Sequence, residues 1–174
     1  MKQYAFISIF LFVTLTVYSQ KSNDLELIRT AFQNIKSEDD INKILSYQTE
    51  NNGKDNHIIE AYKGASQCMM AEYVFSPISK LKNFNRGKKI LEASILESNN
   101  VENVYLRLLI QLNIPGILNY HDNIDADIDF LEDHMARSTI DLTYKNIMVK
   151  NLLSVTKKKE QKEALLQIKL NESS

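Results

Sequence analysis

Four polar residues in the middle of the chain have side chains that, if brought together, would grip an anion or form a buried ion-pair network: Glu102, Arg107, Tyr120 and Asp127. An arginine binds a carboxylate or a phosphate through two parallel N–H···O hydrogen bonds, and neighbouring acids and a tyrosine hydroxyl would orient it. The same groups would equally tie the segment after Pro115 to the preceding helix. We favour this structural interpretation and keep a small hydrolase or a ligand-binding protein as the alternative function.

Arg107 needs a partner whichever interpretation holds. It lies among apolar residues of a predicted helix, where an unpaired charge would be costly to bury. Glu102 precedes it by five positions, whereas ion pairs along a helix form at spacings of about three or four residues. The partner is therefore expected to come from another helix, and Asp127 is the best candidate.

Cys68 is the only cysteine, so the chain forms no internal disulfide. With His57 it would suggest a thiol nucleophile and its base. On a helix that rises about 1.5 Å per residue, however, the two lie about 16 Å apart, which is too far for a hydrogen bond. Because Ala65, Met69 and Ala71 surround it in the sequence, we expect Cys68 to be a small buried apolar side chain.

Two further patterns would suit a metal ion. Asp125, Asp127 and Asp129 imitate the start of a calcium-binding loop, but the glycine and glutamate that such a loop needs at its sixth and twelfth positions are absent. An acidic first helical turn explains these acids better. His121 and His134 show no spacing typical of zinc. The sequence therefore predicts no metal, no cofactor and no catalytic residue.

The elements that must position these residues are predicted to be helices. The 174 residues are 44% hydrophobic and include only 4 Gly and 2 Pro, too few for the many turns of a β fold. Apolar residues recur at helical spacing, most strongly from Asp55 to Leu112, and predict an all-α protein of about seven to eight helices. A formal net charge of -1 favours neither nucleic acid nor an anionic membrane as partner.

The third and fourth helices are expected to approach each other closely. Glycine inside a helix costs about 1 kcal/mol relative to alanine, so Gly64 indicates a close contact, and Gly87 is a second small position. Proline suits the first position of a helix, so the fourth helix should begin at Pro77. Its core face is predicted to consist of Ile78, Leu81, Phe84, Leu91 and Ile95.

Two helix boundaries towards the C-terminus are predicted from polar residues. Ser138 and Asp141 have the spacing of a capping box, in which side chains bond the free N–H groups of the first turn. The seventh helix should therefore start near Ser138. The last helix is expected over residues 157–170.

The first residues have the pattern of a targeting signal. Lys2 is followed by the apolar run from Phe6 to Val17 and by small residues suited to cleavage before Gln20. The run is shorter than the roughly 20 residues that a membrane-spanning helix needs. We therefore expect residues 1–19 to be a signal peptide and residues 20–174 to be a single helical domain. That domain would be periplasmic or secreted and would have no stable membrane anchor.

The turn between the fourth and fifth helices resembles the boundary of a tetratricopeptide repeat. Small, apolar and polar turn residues follow one another as in that repeat: Gly87, Leu91, Ser94, Ile95, Ser98, Asn99, Tyr105 and Leu108. Pro77 interrupts the preceding pattern, and the regular period of about 34 residues is absent. The resemblance implies antiparallel helix pairs stacked in a tetratricopeptide-like array.

A longer stretch, from Tyr62 to Leu131, resembles a group of uncharacterised small exported bacterial proteins. The similarity rests on Tyr62-Lys63-Gly64-Ala65, Ser76-Pro77 with Lys80, Gly87-Lys88, Glu102 with Arg107, and Pro115, Tyr120 and Asp127. The chain departs from the group at Ser76 and Val104, where the group carries Asn and Arg. The resemblance implies the helical fold and export, and it implies no activity.

These observations predict an exported helical interaction or scaffold module without catalytic activity. Stacked helix pairs would present a groove to a protein or peptide partner. An enzyme on the same helices would need a nucleophile, a base and an orienting group that converge, and the sequence contains no such set.

Overall fold

The computed structural model describes residues 24–48 and 55–171, and this part of the chain is all-helical. The helices there are α1 (24–33), α2 (Glu38–Leu45), α3 (Asn56–Tyr73), α4 (Pro77–Glu97), α5 (Val101–Asn113), a short 3₁₀ helix (Gly116–Leu118), α6 (Ile124–His134), α7 (Leu142–Val155) and α8 (Lys159–Leu165). The predicted fold class is confirmed. The expected signal peptide, residues 1–19, lies outside the described residues.

α5 is the central helix. Ten of its 13 residues are buried, including Tyr105, Leu106 and Leu108. It contacts α3, α4, α6 and α7. A helix that is buried on nearly all sides is stable only when other helices surround it, so α5 is the element around which the others assemble.

α3 and α4 pack along each other as an antiparallel pair, with their glycines at the contact. A Cβ added at Gly64 would lie 2.7 Å from the backbone nitrogen of Leu91. A Cβ at Gly87 would collide with the backbone nitrogen of Cys68 and the carbonyl oxygen of Gly64. Both glycines therefore allow the two backbones to touch, and the predicted close contact is confirmed.

The first turns of α4 do not belong to the core. Ile78 and Leu81 are exposed, and the core face of α4 begins at Phe84. The prediction that both residues pack inside is therefore wrong. The α3–α4 hairpin extends past the helices that cover its base, so helical periodicity marks an apolar face there that nothing else in the described chain covers.

Two predicted boundaries near the C-terminus are also wrong. α7 starts at Leu142, where the carboxylate of Asp141 accepts the N–H of Thr143 at 2.8 Å. Ser138 instead donates its hydroxyl to the carbonyl of Met135, at the end of α6. α8 covers only Lys159–Leu165, because the chain is extended before it and turns after it.

Other contacts between helices do not follow one simple order. α6 and α7 each contact α5 and also α8, while α2 contacts α3. The tetratricopeptide-like stacking stays a prediction. Within residues 24–48 and 55–171, no helix combines the length and the apolar character that crossing a membrane would require.

The glycine contact yields the first testable prediction. Gly87→Ala should lower the free energy of unfolding by about 1–3 kcal/mol, the usual cost of overpacking, although alanine is the better helix former. Gly116→Ala is the matched control, because nothing lies within 4 Å of a Cβ at Gly116. Urea denaturation measures both. A Gly87→Ala protein as stable as the parent would contradict the backbone contact.

Candidate functional site

The four residues predicted as one cluster lie in two networks on different faces of α5. At 3.6 residues per turn, five positions place Glu102 and Arg107 about 140° apart around the helix. Arg107 lies with Tyr120 and Asp127, whereas Glu102 points to other partners. The structure therefore brings three of the four predicted residues together and leaves Glu102 apart from them.

The Arg107 network consists of Arg107, Asp127, Glu92 and Tyr120. Arg107 donates Nε to Asp127 Oδ2 at 2.8 Å and Nη2 to Oδ1 at 2.5 Å, which is the bidentate geometry of a strong pair. Its Nη1 donates to Glu92 Oε2 at 3.2 Å, and the Tyr120 hydroxyl donates to the other oxygen of Glu92. Asp127 is thus confirmed as the partner of Arg107.

Glu92 is the member of this network that the sequence analysis missed. It lies on α4, and the chain offered one signal, since Glu92 is the only acid between Pro77 and Leu96. Lys88, one turn earlier, sits over the Tyr120 ring at 4.4 Å. The network therefore joins α4, α5 and α6 to the segment after Pro115.

Burial sets the protonation of this network. It raises the pKa of Asp127, and Arg107 acts in the opposite direction. It also raises the pKa of Tyr120, with Glu92 adding to the increase. Tyr120 therefore stays protonated, and its hydroxyl donates a hydrogen bond to the Glu92 side chain.

The Glu102 network consists of Glu102, Arg29, Tyr62 and Tyr144. Arg29 donates Nε to Glu102 Oε1 at 2.7 Å and Nη2 to Oε2 at 2.6 Å. The Tyr62 hydroxyl donates to Oε1 at 2.5 Å and shares a hydrogen bond with the Tyr144 hydroxyl. The guanidinium of Arg29 also lies 4.9 Å from the centre of the Tyr144 ring. Side chains of α1, α3, α5 and α7 thus meet at one buried carboxylate.

Further hydrogen bonds extend the Glu102 network between α1 and α7. Asn151 donates to the Tyr105 hydroxyl at 3.0 Å and to Gln33 at 2.8 Å. Arg29, Tyr62 and Tyr144 had not been recognised as site residues. The sequence signal for Arg29 was weak, since it showed only that an apolar residue, Ile28, directly precedes it.

The charged groups of both networks are engaged with partners inside the fold. Both oxygens of Asp127 and of Glu102 accept hydrogen bonds, and the side chain of Arg107 is only 12% exposed. Burial raises the pKa of Tyr62 far from neutrality, and Glu102 and Tyr144 raise it further. This geometry fits ties between helices, because each carboxylate is held by two hydrogen bonds from an arginine of another helix.

Cys68 and the histidines do not converge. Cys68 is buried beneath Phe84, and burial raises the pKa of its thiol to about 12, so it is not a thiolate at neutral pH. His57 and His134 line a cleft of about 610 Å³ that Arg29 and Glu102 also line, whereas His121 lines a different cleft. In the described part of the chain, no three His, Cys, Asp or Glu side chains are arranged to hold a metal.

An apolar groove of about 440 Å³ lies between the end of α3, the start of α4 and the 3₁₀ helix. Its apolar lining includes Ala71, Leu81, Phe84, Ile114, Ile117 and Leu118. Ile117 is 92% exposed, and Phe75 and Ile78 at the hairpin tip are 100% and 82% exposed. The groove thus lies beside large apolar side chains that no element within residues 24–48 and 55–171 covers.

Comparison with family models, with curated proteins and with solved structures finds no match to this chain. Its function has to be argued from the two saturated networks and from the apolar groove.

The Arg107 network yields the second prediction. Arg107→Met leaves the buried Asp127 without its counter-charge and should lower the free energy of unfolding by about 3–5 kcal/mol. The loss should shrink on acidification. Without Arg107 the pKa of Asp127 rises further in the folded protein, which then takes up a proton more readily than the unfolded chain does. Protonation of Asp127 removes the unpaired charge from the folded variant, so the variant regains stability relative to the parent as the pH falls towards the ordinary carboxyl pKa of about 3.9.

Chemical denaturation at several pH values measures both effects. Lys159→Met is the matched control, because it removes a cation from the solvent-exposed pair of Lys159 with Glu163, 3.6 Å apart. That change should leave stability nearly unaltered. A loss below about 1 kcal/mol in Arg107→Met, the scale of a surface pair, would reject the structural role. The network would then be interpreted as a ligand-binding site.

Proposed function

We propose that this protein is an exported helical interaction module without catalytic activity, which binds a protein or peptide partner in the apolar groove. The observation that carries the proposal is the uncovered apolar surface made by the groove with Phe75, Ile78 and Ile117. Contiguous exposed apolar patches on a soluble protein mark places where another molecule docks.

The polar residues support a binding role over an enzymatic one. The Arg107 and Glu102 networks satisfy their own hydrogen bonds, and Cys68 has no base beside it. An enzyme would need a nucleophile or base directed into a cleft. The groove offers apolar side chains, which recognise a partner through burial of surface and need no reactive group.

Export is the second part of the proposal. Its support is the pattern of Lys2, the apolar run from Phe6 to Val17 and the small residues before Gln20. The resemblance to small exported bacterial proteins, which includes a tetratricopeptide-like arrangement of helices, agrees with it. In that setting the lone Cys68 needs burial rather than a partner to stay unoxidised.

Export is tested on the protein purified from the cells that make it. Intact-mass spectrometry should find a mature chain that starts at or next to Gln20, because cleavage after small residues removes the apolar run. A protein that retains Met1 and fractionates with membranes would refute cleavage and indicate an N-terminal anchor.

The groove is tested by photo-crosslinking in the producing cells. A photoreactive amino acid in place of Leu81, which lines the groove, should give a discrete adduct with a partner. Ile117→Ser in the same chain should abolish that adduct, because it places a hydroxyl where a partner side chain would be buried. Since Ile117 is 92% exposed, its replacement should change the free energy of unfolding by no more than about 0.5 kcal/mol.

Leu96 provides the matched control for the crosslink. It is an equally large apolar residue on the same helix, 87% exposed, and it does not line the groove. The photoreactive group at Leu96 should give no adduct. Equal adducts at both positions, or none at Leu81, would overturn the docking role of the groove.

A further inference from the structure

α4, whose first turns line the groove, is strongly basic over most of its length. Between Ile78 and Leu91 it contains five cations and no acid: Lys80, Lys82, Arg86, Lys88 and Lys89. All except Lys88 are exposed, and Lys88 covers the Tyr120 ring. The formal charge of the whole chain is only -1, so this segment is a local concentration of positive charge.

Helix geometry places cations on both sides of an apolar strip of α4 made by Ile78, Leu81 and Phe84. At about 100° per residue, Leu81 and Phe84 share one face of α4. Lys80 lies to one side of that face and itself lines the groove. Lys82 and Lys89 lie to the other side, beyond the exposed Ile78. An apolar strip is therefore flanked by positive charge along both edges.

The lining of the groove itself contains one cation, Lys80, so most of the positive charge lies outside the lining along α4. Glu72 is the one acid among its lining residues. The segment 113–118, which also lines the groove, contains no charged residue. Charge complementarity thus indicates what can enter: apolar groups for the lining and negative groups for the edges.

We infer that the groove binds an acidic amphipathic segment of a partner protein, with apolar anchors that fill the lining and carboxylates that meet the lysines. This inference rests on the proposed docking role of the groove and adds the chemistry of the partner. Positive edges would attract such a segment and disfavour a basic one, because like charges brought together oppose binding.

An anionic membrane surface is the other structure that would match exposed apolar and basic residues. The concave shape favours a peptide, since a groove of about 440 Å³ is filled by side chains that enter it. A bilayer would contact mainly the protruding Phe75 and Ile78. The experiment must therefore distinguish binding to a membrane from binding to a peptide.

The probe is a random-peptide phage library selected on the folded protein of residues 20–174. Selected peptides should be enriched in large apolar residues together with Asp and Glu. The affinity of a selected peptide, measured by fluorescence anisotropy, should fall with added salt, because screening weakens attraction between exposed charges.

The charge requirement is tested with Lys80→Glu/Lys82→Glu/Arg86→Glu. These side chains are exposed, and substitutions at exposed positions usually change stability by no more than about 0.5 kcal/mol each, so the variant should fold, as its circular dichroism and thermal melt will show. It should bind the acidic peptides at least about tenfold more weakly. Lys157→Glu/Lys158→Glu/Lys159→Glu, with the same change of charge at the exposed start of α8, should bind like the parent.

The outcomes separate the two proposals. Neutral or basic selected peptides whose binding is lost in Ile117→Ser would overturn the charge inference and leave the docking role intact. Selected peptides unaffected by Ile117→Ser, or no enrichment, would overturn both. Binding to vesicles of phosphatidylglycerol and phosphatidylcholine that is lost in Phe75→Ser, with no groove-dependent peptide, would assign the surface to a membrane instead.

Discussion

The structure depends on the burial of α5 together with the two charges that it carries into the core. The side chains of Glu102 and Arg107 project from different faces of α5. Glu102 pairs with Arg29 of α1, and Arg107 pairs with Asp127 of α6. Removing an ion from water costs several kcal/mol, and a counter-ion held by two short hydrogen bonds offsets most of that cost. The two pairs therefore fix which helices can surround α5.

The two networks specify position more than they add stability. Apolar side chains pack against α5 in many orientations at similar cost, whereas a bidentate ion pair tolerates little rotation or sliding. Glu102 collects hydrogen bonds from α1 and α3, and Arg107 collects acids from α4 and α6. Every helix next to α5 except α7 is thus held by a charged group of α5 itself, and α7 is joined through Tyr144.

The glycine contact and the exposed hairpin tip are connected. Gly64 and Gly87 let the backbones of α3 and α4 approach each other closely. Phe75 and Ile78 lie in solvent at the end of this hairpin. The surface proposed to bind a partner therefore belongs to the pair of helices that these two glycines bring together.

The all-α class, the start of α4 at Pro77, the close contact at Gly64 and the pairing of Arg107 with Asp127 all followed from the sequence. Each depends on local rules: helical period, the fixed proline ring, the missing Cβ, and the spacing that ion pairs need. Tertiary structure decided three other features. Glu102 pairs with Arg29, Glu92 joins the Arg107 network, and Ile78 and Leu81 are exposed. A helical pattern shows that a face is apolar or charged, but only the packing of distant helices determines what that face meets.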